Sequence, residues 1–321
     1  MPAIPETMRA AVIERFGPPD VLKIQNLPVP EIDNDEVLIA VHTAGVGGWD
    51  AEMRGGWWPE GRPTFPLVLG TDGSGTVAKV GSHVRRFKLG DRVYAYNFPN
   101  PKGGFYAEYV AIAAPNVGHV PALLDLQQAG GGCATGLTAL QGVERLGVGK
   151  RDRIAIIGAA GGVGSLALQF ALRVVEAVVV AVVKGKDALV LARDLGANEV
   201  VDANKDDVDE KVGRFAPEGL AGLLAFGGGE TLRRCMTQVR NGGRVVHPNG
   251  VEPLPPKRRG IEMIGYDVEA GPAQFRRLGA AVEKAKLKVP ITASFPLAEA
   301  AKAHERIESG HVIGKIVLRV R

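Results

Sequence analysis

Arg153-Ile154-Ala155-Ile156-Ile157-Gly158-Ala159-Ala160-Gly161-Gly162-Val163-Gly164 is the stretch on which the fold turns. Its first five residues are a short apolar run without alternation, the pattern of a strand buried on both faces. Ala159, Gly161 and Gly164 then stand in the spacing A-x-G-x-x-G, a dinucleotide-binding fingerprint with Ala in place of the first Gly. Ser165 to Arg173 reads as the helix that follows. In that context Gly161 lets the backbone approach a pyrophosphate, and Gly164 lets the helix pack close to its strand. The anion itself would rest on the free N–H groups and positive dipole end of that helix. Ala159, Ala160, Gly161, Gly162, Val163 and Gly164 are therefore candidate cofactor-binding residues.

Downstream the pattern repeats. Ala177 to Val183 is a second apolar run, and Asp187 to Leu195 a helix that Gly196 can cap. Val200-Val201, Leu223-Leu224-Ala225-Phe226 and Val245-Val246 continue it. Strands alternating with helices predict an α/β fold with a doubly wound parallel sheet. A site specific for NAD carries Asp or Glu about 20 residues beyond the turn, to accept from the ribose 2′-hydroxyl. Here Lys184-Gly185-Lys186 occupies that place, with no carboxylate until Asp187. Two ammonium groups at the end of the second strand suit a 2′-phosphate, which points to NADPH.

Upstream, roughly the first 120 residues are β-rich. Val37, Ile39 and Val41 alternate with Leu38, Ala40 and His42, and turn signals such as Gly17-Pro18-Pro19 and Gly90-Asp91 recur at short intervals. Near the end, Leu297, Ala300, Ala301, His304 and Ile307 form a helical stripe, and Gly314 to Leu318 a closing strand. The composition fits such a two-part protein. Of 321 residues 45% are hydrophobic and 43 are Gly, nearly twice the usual share and without a repeat. A net charge of +4 and a densest basic run of only Lys257-Arg258-Arg259 argue against a dedicated nucleic-acid binder. Two cysteines, Cys133 and Cys235, cannot build a disulfide framework or a four-thiolate zinc site, which fits a reducing compartment and a cytoplasmic protein. The longest strongly apolar stretch, Ala177 to Val183, is far too short to span a membrane. Met1 to Thr7 has no secretory pattern.

Several further segments carry a family resemblance: Ala44-Gly45-Val46, Leu69 to Gly75, Leu89 to Tyr94, Gly103 to Tyr109, Thr135 to Ala139, Leu195-Gly196-Ala197 and Gly310 to Leu318. With the glycine turn, and in this order, they resemble the medium-chain dehydrogenase/reductases, specifically the zinc-independent, zeta-crystallin-like quinone oxidoreductases. The resemblance implies a GroES-like catalytic domain from residues 1–122 and 268–321 and a Rossmann dinucleotide-binding domain from 123–267. It also implies a homodimer. In the alcohol-dehydrogenase branch three positions hold catalytic zinc; here they are Gly47, Thr71 and Gly131, none with a side chain that binds zinc. Cys133 reads as a small buried hydrophobe, and His304 belongs to the helix stripe, so no metal is expected.

Without a Lewis acid, simple alcohol oxidation lacks its usual alkoxide stabiliser. A quinone or an α,β-unsaturated carbonyl is an easier partner, because conjugation spreads the arriving charge. The resemblance places the substrate against Gly47, Trp49, Asp50, Glu52, Arg54, Trp57 and Trp58. Trp57 and Trp58, between Gly55-Gly56 and Pro59, either stack on a flat substrate or pack the domain interface. Glu52 could relay a proton if buried, Asp50 fixes the local backbone, and Thr71 offers a hydroxyl to the carbonyl oxygen. Cofactor contacts are expected from Thr135 towards the nicotinamide half, from Phe226-Gly227 and His247-Pro248-Asn249 at strand ends, and from Lys315. A Tyr that relatives carry near Ala203 for adenine is missing. Two other functions share these features: enoyl-thioester reduction, and non-catalytic NADPH binding of the crystallin or RNA-binding kind.

Overall fold

Strands rich in Val and Ile at the chain's centre, and short strands punctuated by turns at its ends, fold as two units. The computed structural model describes residues 3–58 and 61–321; Met1, Pro2, Pro59 and Glu60 lie outside it. Contacts gather Met1–Ala134, Ala270–Gly279 and Ile291–Arg321 into unit 1, and Thr135–Glu269 with Ala280–Pro290 into unit 2.

Unit 1 begins with β1 (Thr7–Ile13), β2 (Lys23–Pro28), β3 (Glu36–Val46), α1 (Gly48–Gly55), β4 (Leu67–Val68), β5 (Asp72–Val80), β6 (Arg92–Tyr96), β7 (Tyr109–Ala113) and β8 (Val117–His119). After α2 (Leu126–Leu146), unit 2 contributes β9 (Arg153–Ile157), α3 (Gly164–Phe170), β10 (Val178–Val183), α4 (Lys186–Asp194), β11 (Glu199–Asp202), α5 (Val208–Phe215), β12 (Leu220–Ala225), α6 (Glu230–Thr237), β13 (Val239–Pro248) and β14 (Glu262–Tyr266). The chain then runs through α7 (Pro272–Ala285) and re-enters unit 1 with β15 (Ile291–Pro296), α8 (Ala300–Glu308) and β16 (Lys315–Arg319).

Unit 2 is built on one six-stranded sheet in the order β11-β10-β9-β12-β13-β14. Every pairing in it is parallel. The order reverses direction at β9, so the glycine turn after β9 lies at a topological switch point, where ligands bind outside the carboxyl ends of such sheets. Ala155, Ile157, Val180, Val182, Leu223 and Val245 are all buried, as a sheet covered on both faces requires. The helix expected over Ser165–Arg173 is shorter: α3 passes into a π-helical turn, Ala171–Val175, that stops at Glu176 with a left-handed φ of 63°.

Unit 1 holds a three-stranded sheet, β2-β1-β4, and a seven-stranded one in which β15-β16-β3-β5-β6-β8 run in order and β7 pairs with β3. Apart from the parallel pair β15–β16, these pairings are antiparallel. Its core includes Val37, Ile39, Val41, Val77, Val93, Ile112, Ile316 and Leu318. The last strand is therefore interior to the sheet, between β15 and β3. Among the described residues no helix is long and apolar enough to cross a membrane.

Candidate active site

In unit 2 the predicted cofactor residues that end or follow β9, β10, β12 and β13 lie at the carboxyl edge of the sheet. Gly158 takes a left-handed φ of 74°, which only glycine adopts freely. Its N–H donates to Val182 O at 2.9 Å, and Phe226 N donates to Ile157 O at 3.1 Å, so the ends of β9, β10 and β12 are tied together. Gly161 N is taken by Gly158 O at 2.9 Å, while the N–H groups of Gly162 and Val163 have no acceptor among the described residues. A Cβ on Gly164 would lie 2.1 Å from Gly158 O, so the helix sits as close to the turn as glycine alone permits. A turn with free donors ahead of a helix fits an anionic pyrophosphate.

Lys184 and Lys186 are exposed, and neither has an ion-pair partner among the described residues. His247 is buried and donates from Nδ1 to Pro248 O at 3.1 Å. Asn249 engages Asp267 through its carboxamide at 2.9 Å. Thr135 is half-buried on α2, and Phe226 and Gly227 half-buried after β12. A carboxylate does reach this turn, from the sheet side. Asp202, at the end of the neighbouring strand β11, accepts from Gly185 N at 3.4 Å.

In unit 1 the three zinc-ligand positions are occupied by backbone and a hydroxyl residue. Gly47 follows β3 and caps α1; Thr71 precedes β5; Gly131, on α2, faces Ile291 and Val317. Asp50 joins the first two. Its Oδ2 accepts from Gly47 N at 2.9 Å and its Oδ1 from Thr71 N at 3.2 Å. It is 1% exposed. Burial pushes its pKa up to about 7; the Gly47 N–H opposes this, the charge of Asp72 adds to it, and Lys315 opposes it again. Asp72 accepts from Ala134 N at 2.9 Å and is likewise raised by burial against the pull of Lys315. Lys315, predicted as a cofactor contact, is buried in this cluster with Nζ 3.4 Å from Val46 O. Two carboxyls and one ammonium thus share a dry pocket, and a raised carboxyl pKa is how such a set limits its excess negative charge.

Glu52 is exposed, so it lacks the burial that a proton relay needs. The two adjacent tryptophans part company. Trp58 is half-buried against the unit 1 core, whereas Trp57 is 44% exposed. Trp57 meets Trp49 edge-on at 4.9 Å between ring centroids, and Phe98 lies nearly parallel to it at 6.1 Å. Beside this trio a small recess, open to solvent, is lined by Met53, Trp58, Gly70, Thr71, Asn97 and Phe98 among others. Gly47 leaves room: a Cβ there would touch only Asp50 Oδ2, at 3.6 Å.

Sequence reading also misses a buried pair. Tyr106 Oη and His304 Nε2 are 3.0 Å apart, and His304 Nδ1 has no partner. Burial, then the charge of Arg54, lowers His304 to about 3. Cys133 is fully buried and its thiol is pushed up by burial. Among the described residues no group of three or more His, Cys, Asp or Glu is placed to hold a metal ion.

Residues 33–122 match the alcohol dehydrogenase GroES-like domain family, and residues 195–318 match a family described as zinc-binding dehydrogenase. The chain is 32% identical to the chloroplastic NADPH-dependent alkenal/one oxidoreductase of Arabidopsis thaliana, over 98% of this chain and 80% of that protein. This chain belongs to the medium-chain dehydrogenase/reductases, in the quinone oxidoreductase branch. It is also 30% identical to a mouse quinone oxidoreductase, over 97% of each chain. The solved quinone oxidoreductase of Coxiella burnetii superposes with a TM-score of 0.84 at 28% identity, covering 98% of this chain and all of that one. At the positions that the resemblance assigns to catalytic zinc stand Gly47, Thr71 and Gly131, whose side chains do not fit that ion.

Proposed function

We propose that this medium-chain reductase transfers hydride from NADPH to a quinone or an activated alkene without zinc. One observation carries the reading: Thr71, at a zinc-ligand position, lines an aromatic-edged recess, and its backbone is fastened to the Gly47 turn by the buried Asp50. Bound NADPH supplies the hydride. The chain's own residues hold and orient. The free N–H groups after Gly161 bind pyrophosphate, and Lys184 and Lys186 attract the 2′-phosphate. Thr71 donates its hydroxyl to the acceptor carbonyl, and Asp50 keeps that residue in place. Trp49, Trp57 and Phe98 offer a half-open aromatic surface to a planar conjugated substrate, where stacking is worth about 0.5–1.5 kcal/mol beyond burial. The acceptor's own conjugation replaces the metal as the sink for incoming charge. The names of the alkenal/one and quinone oxidoreductase relatives support this choice of acceptor.

The test is NADPH oxidation with 9,10-phenanthrenequinone and with 2-alkenals, before and after prolonged chelation and dialysis. Turnover with either acceptor that survives chelation is expected. NADPH binding without turnover of any acceptor would mark a non-catalytic protein. Loss of activity with stoichiometric removal of zinc would overturn the metal-free reading. The homodimer implied by the family is checked by light scattering on the eluted protein.

A further inference from the structure

We propose that Asp202 is a specificity-determining residue: its buried carboxylate holds the Lys184–Gly185–Lys186 turn from the sheet side, and its charge sets how far that turn prefers a 2′-phosphate to a 2′-hydroxyl. The proposal rests on the reading above, in which this turn faces the adenosine ribose.

Strand pairing brings the residue there. Val183 and Asp202 are partners in the parallel ladder of β10 and β11, and Ala203 N donates to Val183 O at 2.8 Å. Asp202 is 3% exposed. Its Oδ1 accepts from Asn204 N at 3.0 Å and from Gly185 N at 3.4 Å. Its Oδ2 is buried and without a hydrogen-bond partner. Gly185 stands at a left-handed φ of 89° with open space where a Cβ would be, so its N–H reaches the carboxylate while its other side stays clear. Lys184 and Lys186 flank it, exposed. A buried carboxylate oxygen left unpaired is costly and calls for an explanation.

Here it has one. A negative charge fixed at the Gly185 N–H, between two exposed lysines in sequence, offsets part of the attraction they offer to any anion bound beside them. A 2′-phosphate is a nearly divalent anion and feels that offset; a 2′-hydroxyl is neutral and does not. The lysines therefore favour NADPH, and Asp202 limits by how much. Along the chain the residue is invisible as a cofactor determinant, because it lies well beyond the interval at which a ribose-binding acid is sought.

Cofactor titration by fluorescence, needing no substrate, decides the matter. In Asp202→Asn an amide keeps the Oδ1 acceptor and removes the charge. NADPH binding should tighten roughly threefold to tenfold, the order expected for removing one nearby unit charge in a partly wet site. NADH binding should change less than twofold, and the gain should shrink at high salt. Asp202→Ser, which also keeps an acceptor oxygen, serves if the Asn variant does not fold. Equal shifts for both cofactors, or none for either, would overturn the proposal and leave Asp202 a structural residue. Lys184→Asp goes through the same titration. An unchanged cofactor ratio there overturns the reading of the turn itself, whereas a shifted ratio with a silent Asp202→Asn overturns only the role given to Asp202.

Discussion

Asp50 and His304 are both titratable and both buried, and burial moves them in opposite senses along the pH axis. The folded Asp50 carboxyl, at about 7, lies above its ordinary 3.8. Its contribution to stability is therefore complete below that ordinary value and is lost as pH rises through about 7. His304, at about 3 against an ordinary 6.5, contributes above its ordinary value and loses that contribution as pH falls through about 3. Asp72, raised like Asp50, tilts the parent in the same direction as Asp50, and substituting Asp50 or His304 leaves it in place. Urea unfolding from pH 4 to 7 should separate the two groups. Relative to the parent, Asp50→Asn should gain stability with rising pH and His304→Gln should lose it, each by roughly 1 kcal/mol per pH unit. Parallel curves for parent and both variants would show that neither group is as desolvated as its place in the fold requires.

Two glycines show how differently one residue type acts in different elements. At Gly164 the nearest atoms to a new Cβ are the carbonyl of Gly158, at 2.1 and 2.7 Å, and backbone cannot swing aside. Gly164→Ala should cost about 1–3 kcal/mol in denaturant unfolding and weaken NADPH binding. At Gly47 the only neighbour is Asp50 Oδ2 at 3.6 Å. Gly47→Asn should leave stability within about 0.5 kcal/mol of the parent while raising KM for bulky quinones, since it fills space beside Thr71. The glycine turn was readable from sequence because its strand, turn and helix are contiguous. Asp50 was legible as a backbone fastener, but its partner Thr71 was not, since 21 residues separate them. The difference between Trp57 and Trp58 was likewise hidden: adjacent residues leaving a helix face different ways, and only the fold says which way is solvent. Asp202 escaped for the same reason, as parallel pairing set it beside a turn that sequence distance kept apart.

At the scale of the molecule, strands from before and after unit 2 in the chain build one sheet. β16 pairs with β3 on one side and β15 on the other, and it carries Lys315 into the pocket of Asp50 and Asp72. Removing residues 311–321 should open unit 1 while leaving the continuous sheet of unit 2 its own strands. All three tryptophans, Trp49, Trp57 and Trp58, lie in unit 1, so their emission reports on that unit alone. A red-shifted, more quenchable emission is expected, with loss of the cooperative unfolding of unit 1. Native-like emission in the shortened chain would mean that β16 is dispensable.

The placement of that last strand also has a consequence on the ribosome. Val46 and Lys315 meet in the finished protein but are separated by 269 residues. At about 5–20 residues per second, roughly 15 to 50 s pass between the emergence of β3 and that of its partner. Throughout that interval the Thr43–Val46 part of one edge of β3 presents unpaired backbone groups, the kind of edge that recruits other strands. The whole of the parallel sheet is meanwhile translated and free to fold. The nascent chain can therefore complete the parallel sheet first, with an open seam in unit 1 until β16 emerges.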